Sequence, residues 1–540
     1  MELSRREFLG KTGAGLATAA MASGITQARA DTASKPNVLF VMTDQQRFDT
    51  IHALGNSHIH TPNLDRLVKR GVSFTNAYST CPVCVPARYT IRTGCFAGTT
   101  RSFVNDVGEP LPHQAETMTG RCGPYLPETM RRLGYRTWGV GKFHTKPWNE
   151  DLGYETQLHT MENWLTPEMR KGDAFGSWLR ENHPEFDFVE QVHGERSDMY
   201  YRPQTSPLPF DATVEHWDAD RAIELINAGD GRPYFGMVSF IGPHPPFAPP
   251  VPYNRLYDPD KLPDPVHGPA ALDELDEVQT AFDKMAFAHG LSDEQWRIVK
   301  SRYYGDITYI DACLGRILDA VEARDDADNT LICFFSDHGE MMGDRGMSQK
   351  ATYFEPACHV PMLVSWPARL PANQRNDSIA CLADLFGIAT GAAGTLDVRE
   401  GIDLLGVIDG RAKPREYLLG YIGHLGANGY KLMVRGGRWK YIFLATGGHE
   451  LLFDVQNDPQ ELHNLAAEEP EVLARFREQA VAMCDNPDYR PTLRNGKLKS
   501  YEAGSFKHFG GMRIIQMEPS IGVEGFPEHP RDALEAYGFE

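Results

Sequence analysis

From residue 35 onward, short apolar runs closed by turn residues alternate with stretches whose apolar positions recur every three or four residues. Val38 to Met42 is five apolar residues in a row, the pattern of a strand buried on both faces. Further strand runs lie at Arg136 to Val140, Tyr234 to Phe240 and Leu331 to Phe335. Helical spacing marks Asn63 to Lys69, Asp218 to Asn227 and roughly Gln295 to Glu322. Strands alternating with helices predict an α/β fold with a large, mostly parallel central sheet sandwiched by helices. The character changes near residue 425. Tyr430 to Val434 and Trp439 to Phe443 alternate in period two around Gly436-Gly437, a hairpin signal, and Leu451 to Asp454 follows. With a helix from about Pro470 to Met483, this predicts a smaller C-terminal antiparallel sheet plus helix. The expected division is a main domain over 31–425 and a subdomain over 426–540, irregular from Asn486. Segments 145–215 and 245–290 are rich in Pro, Asp and aromatic residues and read as surface insertions on the main domain.

The first thirty residues have a different pattern. Arg5-Arg6 precedes a weakly apolar, Gly/Ala-rich run from Gly13 to Ala22, and Ala28-Arg29-Ala30 closes it. These are the parts of a twin-arginine signal peptide over 1–30. The run is too short and Gly-rich to span a bilayer stably, and no later run of about 20 uninterrupted apolar residues occurs. The expectation is an exported protein, periplasmic or secreted, that engages the twin-arginine translocon, with no stable membrane insertion of the mature chain.

Across 540 residues, 54 Lys and Arg face 73 Asp and Glu, a net charge of −19. Cleavage after Ala30 would remove Arg5, Arg6, Lys11 and Arg29 with Glu2 and Glu7, moving the balance to −21. A hydrophobic content of 41% excludes a disordered chain, and the acidic balance argues against a nucleic-acid partner. Nine cysteines are too few for a disulfide scaffold, and the odd number leaves at least one unpaired within the chain.

Two segments share one form: Val38–Met42 runs into Thr43-Asp44-Gln45, and Leu331–Phe335 into Ser336-Asp337-His338. Groups just past the carboxyl ends of parallel strands line the ligand crevice. Asp44, Gln45, Asp337 and His338 would together suit a hard divalent cation, Ca²⁺ or Mg²⁺, with the imidazole leaving Mn²⁺ open. The bland alternative for each Asp alone is a helix cap. A second feature is Cys81-Pro82-Val83-Cys84-Val85-Pro86-Ala87-Arg88, ending at Thr93-Gly94. Pro86 suits the first turn of a helix and Gly94 its end, which sets Cys84 at a helix N-terminus with Arg88 one turn on, on the same face. The alternatives are a Cys81–Cys84 redox pair, which has no need of Arg88, and a zinc site, for which Cys95 and Cys122 supply no convincing second ligand pair.

Cys84-x-Pro86-x-Arg88, continuing to Thr93-Gly94, resembles the signature of the type I, formylglycine-dependent sulfatases of the alkaline-phosphatase superfamily. Other elements agree: Asn37 through Asp44; Gly134-Tyr135, then Gly141-Lys142-Phe143-His144; Pro243-His244-x-Pro246; Asp337-His338-Gly339-Glu340, with Lys350 beyond; and Glu450 to Asp454, Asp458-Pro459 and Glu461 to Leu465. The resemblance covers about residues 35 to 485. It implies an alkaline-phosphatase-like fold, a catalytic domain over 31–425, and conversion of Cys84 to formylglycine (3-oxoalanine) by a maturation enzyme. It also implies one divalent cation, Ca²⁺ foremost, held by Asp44, Gln45, the modified Cys84, Asp337 and His338. Arg88 would help activate the nucleophile, Lys142 and Lys350 would hold sulfate oxygens, His244 would protonate the leaving alcohol, and His144 would act as base in release. Arg47 resembles a supporting position beside the first strand.

The expected reaction is hydrolysis of a sugar or aryl sulfate ester to alcohol and inorganic sulfate. Gln45 and His338 stand where many sulfatases have a second acid and an Asn. That set resembles the phosphonate monoester hydrolases and the choline-sulfatase branch, so a phosphonate monoester or phosphodiester hydrolase is the first alternative. An exported binding protein without chemistry is the second. The leaving-group pocket is expected from the insertions at 145–215 and 245–290 and from the C-terminal tail, with Trp148, Trp164, His193, Tyr200, Tyr201 and Arg202 as stacking or packing side chains.

Overall fold

Strand β1 (Asn37–Thr43) sits near the middle of the larger sheet in the computed structural model, which describes residues 34–162, 167–186, 203–268 and 291–502. The sheet also contains β2 (Val72–Tyr78), β3 (Arg136–Gly141), β4 (Thr156–His159), β5 (Tyr234–Ser239), β6 (Thr330–Ser336), β7 (Met362–Ser365) and β8 (Gln374–Cys381). The eight strands run in the order β4-β3-β5-β1-β6-β7-β2-β8. All neighbouring pairs are parallel except those made by β7, which runs against β6 and β2. The expected mostly parallel sheet is thus present, with one reversed strand inside it.

Why β1 is apolar throughout follows from its two faces. Val38, Phe40 and Met42 join a cluster with Ala87 and Ile91 of helix α1 (Cys84–Thr93) and with Leu385, Phe386 and Ile388 of α4 (Asp384–Ala392). Leu39 and Val41 point the other way, among Ala219, Ala222 and Ile226 of α2 (Val214–Asn227) and Leu314, Ile317 and Leu318 of α3 (Asp293–Glu322). A period-two strand covered by helices on both sides leaves no position for a polar residue. The 30-residue α3 opens with a capping box from Ser292 and Gln295, which satisfies the first backbone N–H groups.

The second sheet is antiparallel, in the order β12 (His449–Asp454), β11 (Trp439–Leu444), β10 (Lys431–Gly436), β9 (Tyr417–Ile422). The β10–β11 hairpin turns through Gly437 at φ +52°, the left-handed conformation that Gly adopts without strain. Helix α5 (Pro470–Cys484) buries Phe476, Ala480 and Cys484 in the same core as the sheet. The edge strand Tyr417–Ile422 lies upstream of residue 426, where the change of character was read. The described residues from Lys35 onward belong to one compact unit.

One expectation is corrected. Residues 245–250, the start of a segment read as a surface insertion, are buried along their whole length. Residues 156–159 of the other supposed insertion form the edge strand β4. Among the described residues, no helix is long and apolar enough to cross a membrane. The signal segment 1–30, Trp164, His193, Tyr200, Tyr201, Arg202 and the tail beyond residue 502 lie outside the described residues.

Candidate active site

Four adjacent parallel strands, β3, β5, β1 and β6, end in register: Gly141 pairs with Ser239, Met42 with Ser239, and Thr43 with Ser336. The residues that follow these ends are therefore brought together: Lys142 and His144 after β3, His244 after β5, Asp44 and Gln45 after β1, Asp337 and His338 after β6. Gly141, at φ +110°, allows the close approach, since a Cβ there would meet the Ser239 carbonyl oxygen at 2.1 Å. Cys84 is the first residue of α1, and Gly94 ends that helix at φ +66°. Several loop residues adopt left-handed backbone without being Gly: Gln45, His144, and Gln349 and Ala351 on either side of Lys350. Such positions collect at functional sites, where the surroundings hold a strained conformation.

Asp44, Cys84, Asp337 and His338 converge, with one ligand-capable atom from each lying within 4.8 Å of the others, and all four are buried. Arg88 bridges the two acids: its Nη2 donates to Asp44 Oδ2 at 2.9 Å and its Nε to Asp337 Oδ2 at 3.1 Å. Asp44 Oδ2 also meets Lys142 Nζ at 2.6 Å. Burial pushes the Asp44 carboxyl up, but Lys142, His244 and Arg88 outweigh it and hold it well below the usual range. For Arg88, burial works against the cation, and Asp337 and Asp44 outweigh it, so its pKa is raised. Burial, reinforced by Asp44, pushes the Cys84 thiol up to about 12, so it is neutral.

His338 Nδ1 lies 3.0 Å from the Gly339 carbonyl, which only accepts, so Nδ1 carries the hydrogen. Nε2 then presents its lone pair at 3.1 Å from Cys84 Sγ, 3.6 Å from Asp44 Oδ1 and 3.7 Å from Asp337 Oδ1. Burial lowers the His338 pKa, which keeps the imidazole in the ligating form. Two carboxylates and one oriented neutral imidazole, with a polar group at position 84, make a donor set that fits a divalent cation. Gln45 lies alongside. Its backbone N–H donates to Asp337 Oδ1 at 3.1 Å, its Oε1 accepts from Lys350 Nζ at 2.5 Å, and its Nε2 donates to Glu340.

The remaining expected residues surround this centre. Lys142, Lys350 and His244 are buried, and His144 is half-buried. The Nδ1 atom of His144 is buried with no hydrogen-bond partner among the described residues, and burial together with Lys142 holds its pKa well below the usual value. Arg47 donates to Asp344 at 2.8 Å and to the Glu340 and Met341 carbonyls, tying the loop after β1 to the loop after β6. Two acids were not read from the sequence. Glu162, following β4, contacts Lys142 Nζ. Glu340 accepts from Gln45 and from the Met342 and Gln349 N–H groups. Glu162 has no signal in sequence, whereas Glu340 lay inside a matched motif with no role attached to it. All nine cysteines are free and buried, and Cys81 turns to the Phe103 carbonyl rather than toward the site. Trp148 packs edge-on against His159.

Residues 36–395 match the family described as Sulfatase. The chain is 27% identical over 492 residues to an arylsulfatase of Clostridium perfringens, covering 88% of this chain and 99% of that one. It is 29% identical over 502 residues to a choline-sulfatase of Rhizobium meliloti, covering 87% and 91%. Among solved structures, it superposes on the phosphonate monoester hydrolase of Agrobacterium radiobacter with a TM-score of 0.68 at 27% identity, covering 83% and 95%.

Proposed function

The chain belongs to the sulfatase family, and on that premise we propose that it hydrolyses a sugar or aryl sulfate ester to an alcohol and inorganic sulfate, using formylglycine formed from Cys84 and one divalent cation. The observation that carries the reading is the convergence of buried Cys84 with Asp44, Asp337 and His338, and Arg88 across both acids. Asp44, Gln45, Asp337 and His338, with residue 84, would hold the cation, Ca²⁺ foremost. When bound, a divalent cation supplies Lewis acidity toward sulfate oxygens and lowers the pKa of a ligated hydroxyl. A hydrated aldehyde at position 84 would supply a nucleophile with a second hydroxyl for release.

The chain's own groups supply the rest. Arg88 fixes both acids and keeps positive charge beside residue 84. Lys142 and Lys350 bring cationic ends toward the centre from opposite loops, where they would hold sulfate oxygens as negative charge redistributes. His244 would give a proton to the leaving oxygen. His144, whose buried Nδ1 awaits a partner, would take the proton in the release step.

Mass spectrometry of the peptide containing Cys84 from the native host, with steady-state turnover of 4-nitrophenyl sulfate with and without chelator, tests the reading. An unmodified cysteine in active enzyme, or turnover indifferent to metal removal, overturns it. The second reading, a phosphonate monoester or phosphodiester hydrolase, is favoured by Gln45 with His338 and by the likeness to a phosphonate monoester hydrolase. Faster turnover of matched aryl phosphodiesters than of sulfates would establish it. Residues 1–30 support twin-arginine export to the periplasm or beyond; a cytoplasmic location in cell fractionation would refute that.

A further inference from the structure

Glu162 stands between two of the cationic or basic groups just described. Its Oε2 contacts Lys142 Nζ and lies 3.9 Å from His244 Nε2. His244 is held from the other side: its Nδ1 is 2.8 Å from the Pro245 carbonyl, an acceptor only, so Nδ1 carries a hydrogen and Nε2 is the nitrogen left to exchange a proton. We propose that Glu162 is a positioning residue for the leaving-group step, its carboxylate orienting the His244 ring and favouring the proton on Nε2 that the departing alcohol oxygen takes. The proposal rests on the sulfate-ester reading of the site. A hydroxyl oxygen at position 84 would bond to sulfur as the S–O bond to the alcohol breaks, and the electron pair of the broken bond goes to the alcohol oxygen. That oxygen takes the Nε2 proton, and neutral His244 regains a proton from water.

The charge around His244 shows why an acid is needed there. Burial lowers its pKa well below the usual value, and Lys350 and Lys142 push the same way. Glu162 and Asp44 oppose them. Beneath the loop, Glu215 and Asp306 line a small cleft with His244. Asp44 is already committed to Arg88 and Lys142 on the residue-84 side. Glu162 Oε2 lies 3.9 Å from Nε2.

The experiment compares wild type with Glu162→Gln and Glu162→Asp. First, the His244 signal of ¹³Cε1-histidine-labelled protein is titrated, assigned with His244→Gln. The expected result is a lower His244 pKa in E162Q and recovery toward wild type in E162D. Second, kcat/KM is measured against pH for aryl and alkyl sulfates of graded leaving-group acidity. In E162Q the alkaline limb moves to lower pH. The loss is within about 3-fold for 4-nitrophenyl sulfate and grows to roughly 100-fold for an alkyl sulfate, the scale of lost general-acid assistance. A uniform loss across the series, or an unchanged His244 titration, overturns the proposal. If wild type turns over no sulfate ester, the sulfate reading fails, and the titration still decides whether Glu162 controls the His244 proton.

Discussion

Arg88 holds two carboxylates together, all three side chains being fully buried, and its loss would leave Asp44 paired with Lys142 alone and Asp337 without its guanidinium partner. Removing one partner of a buried ion pair costs about 3–5 kcal/mol. Arg88→Ala should therefore lower unfolding stability by that order in chelator, and Ca²⁺ should recover a large part of it; denaturant melts with and without EDTA check this. Cys84→Ala is the contrasting case. The thiol is neutral, with its pKa pushed up to about 12, so its removal strands no charge. Turnover should fall at least about 10³-fold, as for loss of a nucleophile, while the melting temperature moves by only a few degrees. At this scale much of the site was legible. Asp44 and Asp337 follow uninterrupted apolar strands, and Cys84 and Arg88 sit on a helix bounded by Pro86 and Gly94. Glu162 was not legible, because it follows a four-residue, half-buried edge strand with no periodicity to place it.

The elements differ in how plainly their residues declare them. Strands β1, β5 and β6 are apolar on both faces and were read directly. Strand β8, Gln374–Cys381, begins with polar residues and is largely exposed over its first half, while β7 is four residues long; neither leaves a sequence signature. Residues 245–250 misled for a different reason: prolines usually mark surface turns, and here the Pro-rich stretch beside His244 is buried. Glu215, at the start of α2, lies under that loop and accepts from the Gly242 N–H. Burial raises its pKa to about 7, against 4.5 for an ordinary Glu. Between those values the unfolded chain ionises first, so folded-state stability is intact below about 4.5 and falls as pH rises to about 7. Glu215→Gln should be neutral near pH 4 and stabilising by up to roughly 3 kcal/mol at pH 8, as read from urea melts at both pH values. The small sheet has its own buried cation. Lys440, on β11, meets Glu355 at 2.7 Å and also contacts Glu461. Lys440→Met should cost about 3–5 kcal/mol by the same unpaired-charge argument, measured by chemical denaturation.

Over the whole molecule, a net charge of −19 surrounds a centre that must receive an anion. On the proposed reading, attraction would be local, from Arg88, Lys142 and Lys350, and the longer-range field would oppose a densely charged ligand. Raising ionic strength from about 0.02 to 0.2 M shortens the screening length to roughly 7–10 Å. The kcat/KM for a multiply sulfated oligosaccharide should then rise relative to that for a monosulfated one; an unchanged ratio would show that the surface charge does not act on substrate. A last consequence concerns time rather than energy. Every residue of the helix from Cys84 to Thr93 is buried, and Cys84 itself is 1% exposed. An enzyme acting on Cys84 would need access to a side chain that the finished fold closes off. On the proposed reading, conversion of Cys84 would therefore have to precede the folding of this helix. Adding the maturation enzyme to folded, unmodified protein should leave the thiol untouched, while adding it during refolding should yield aldehyde.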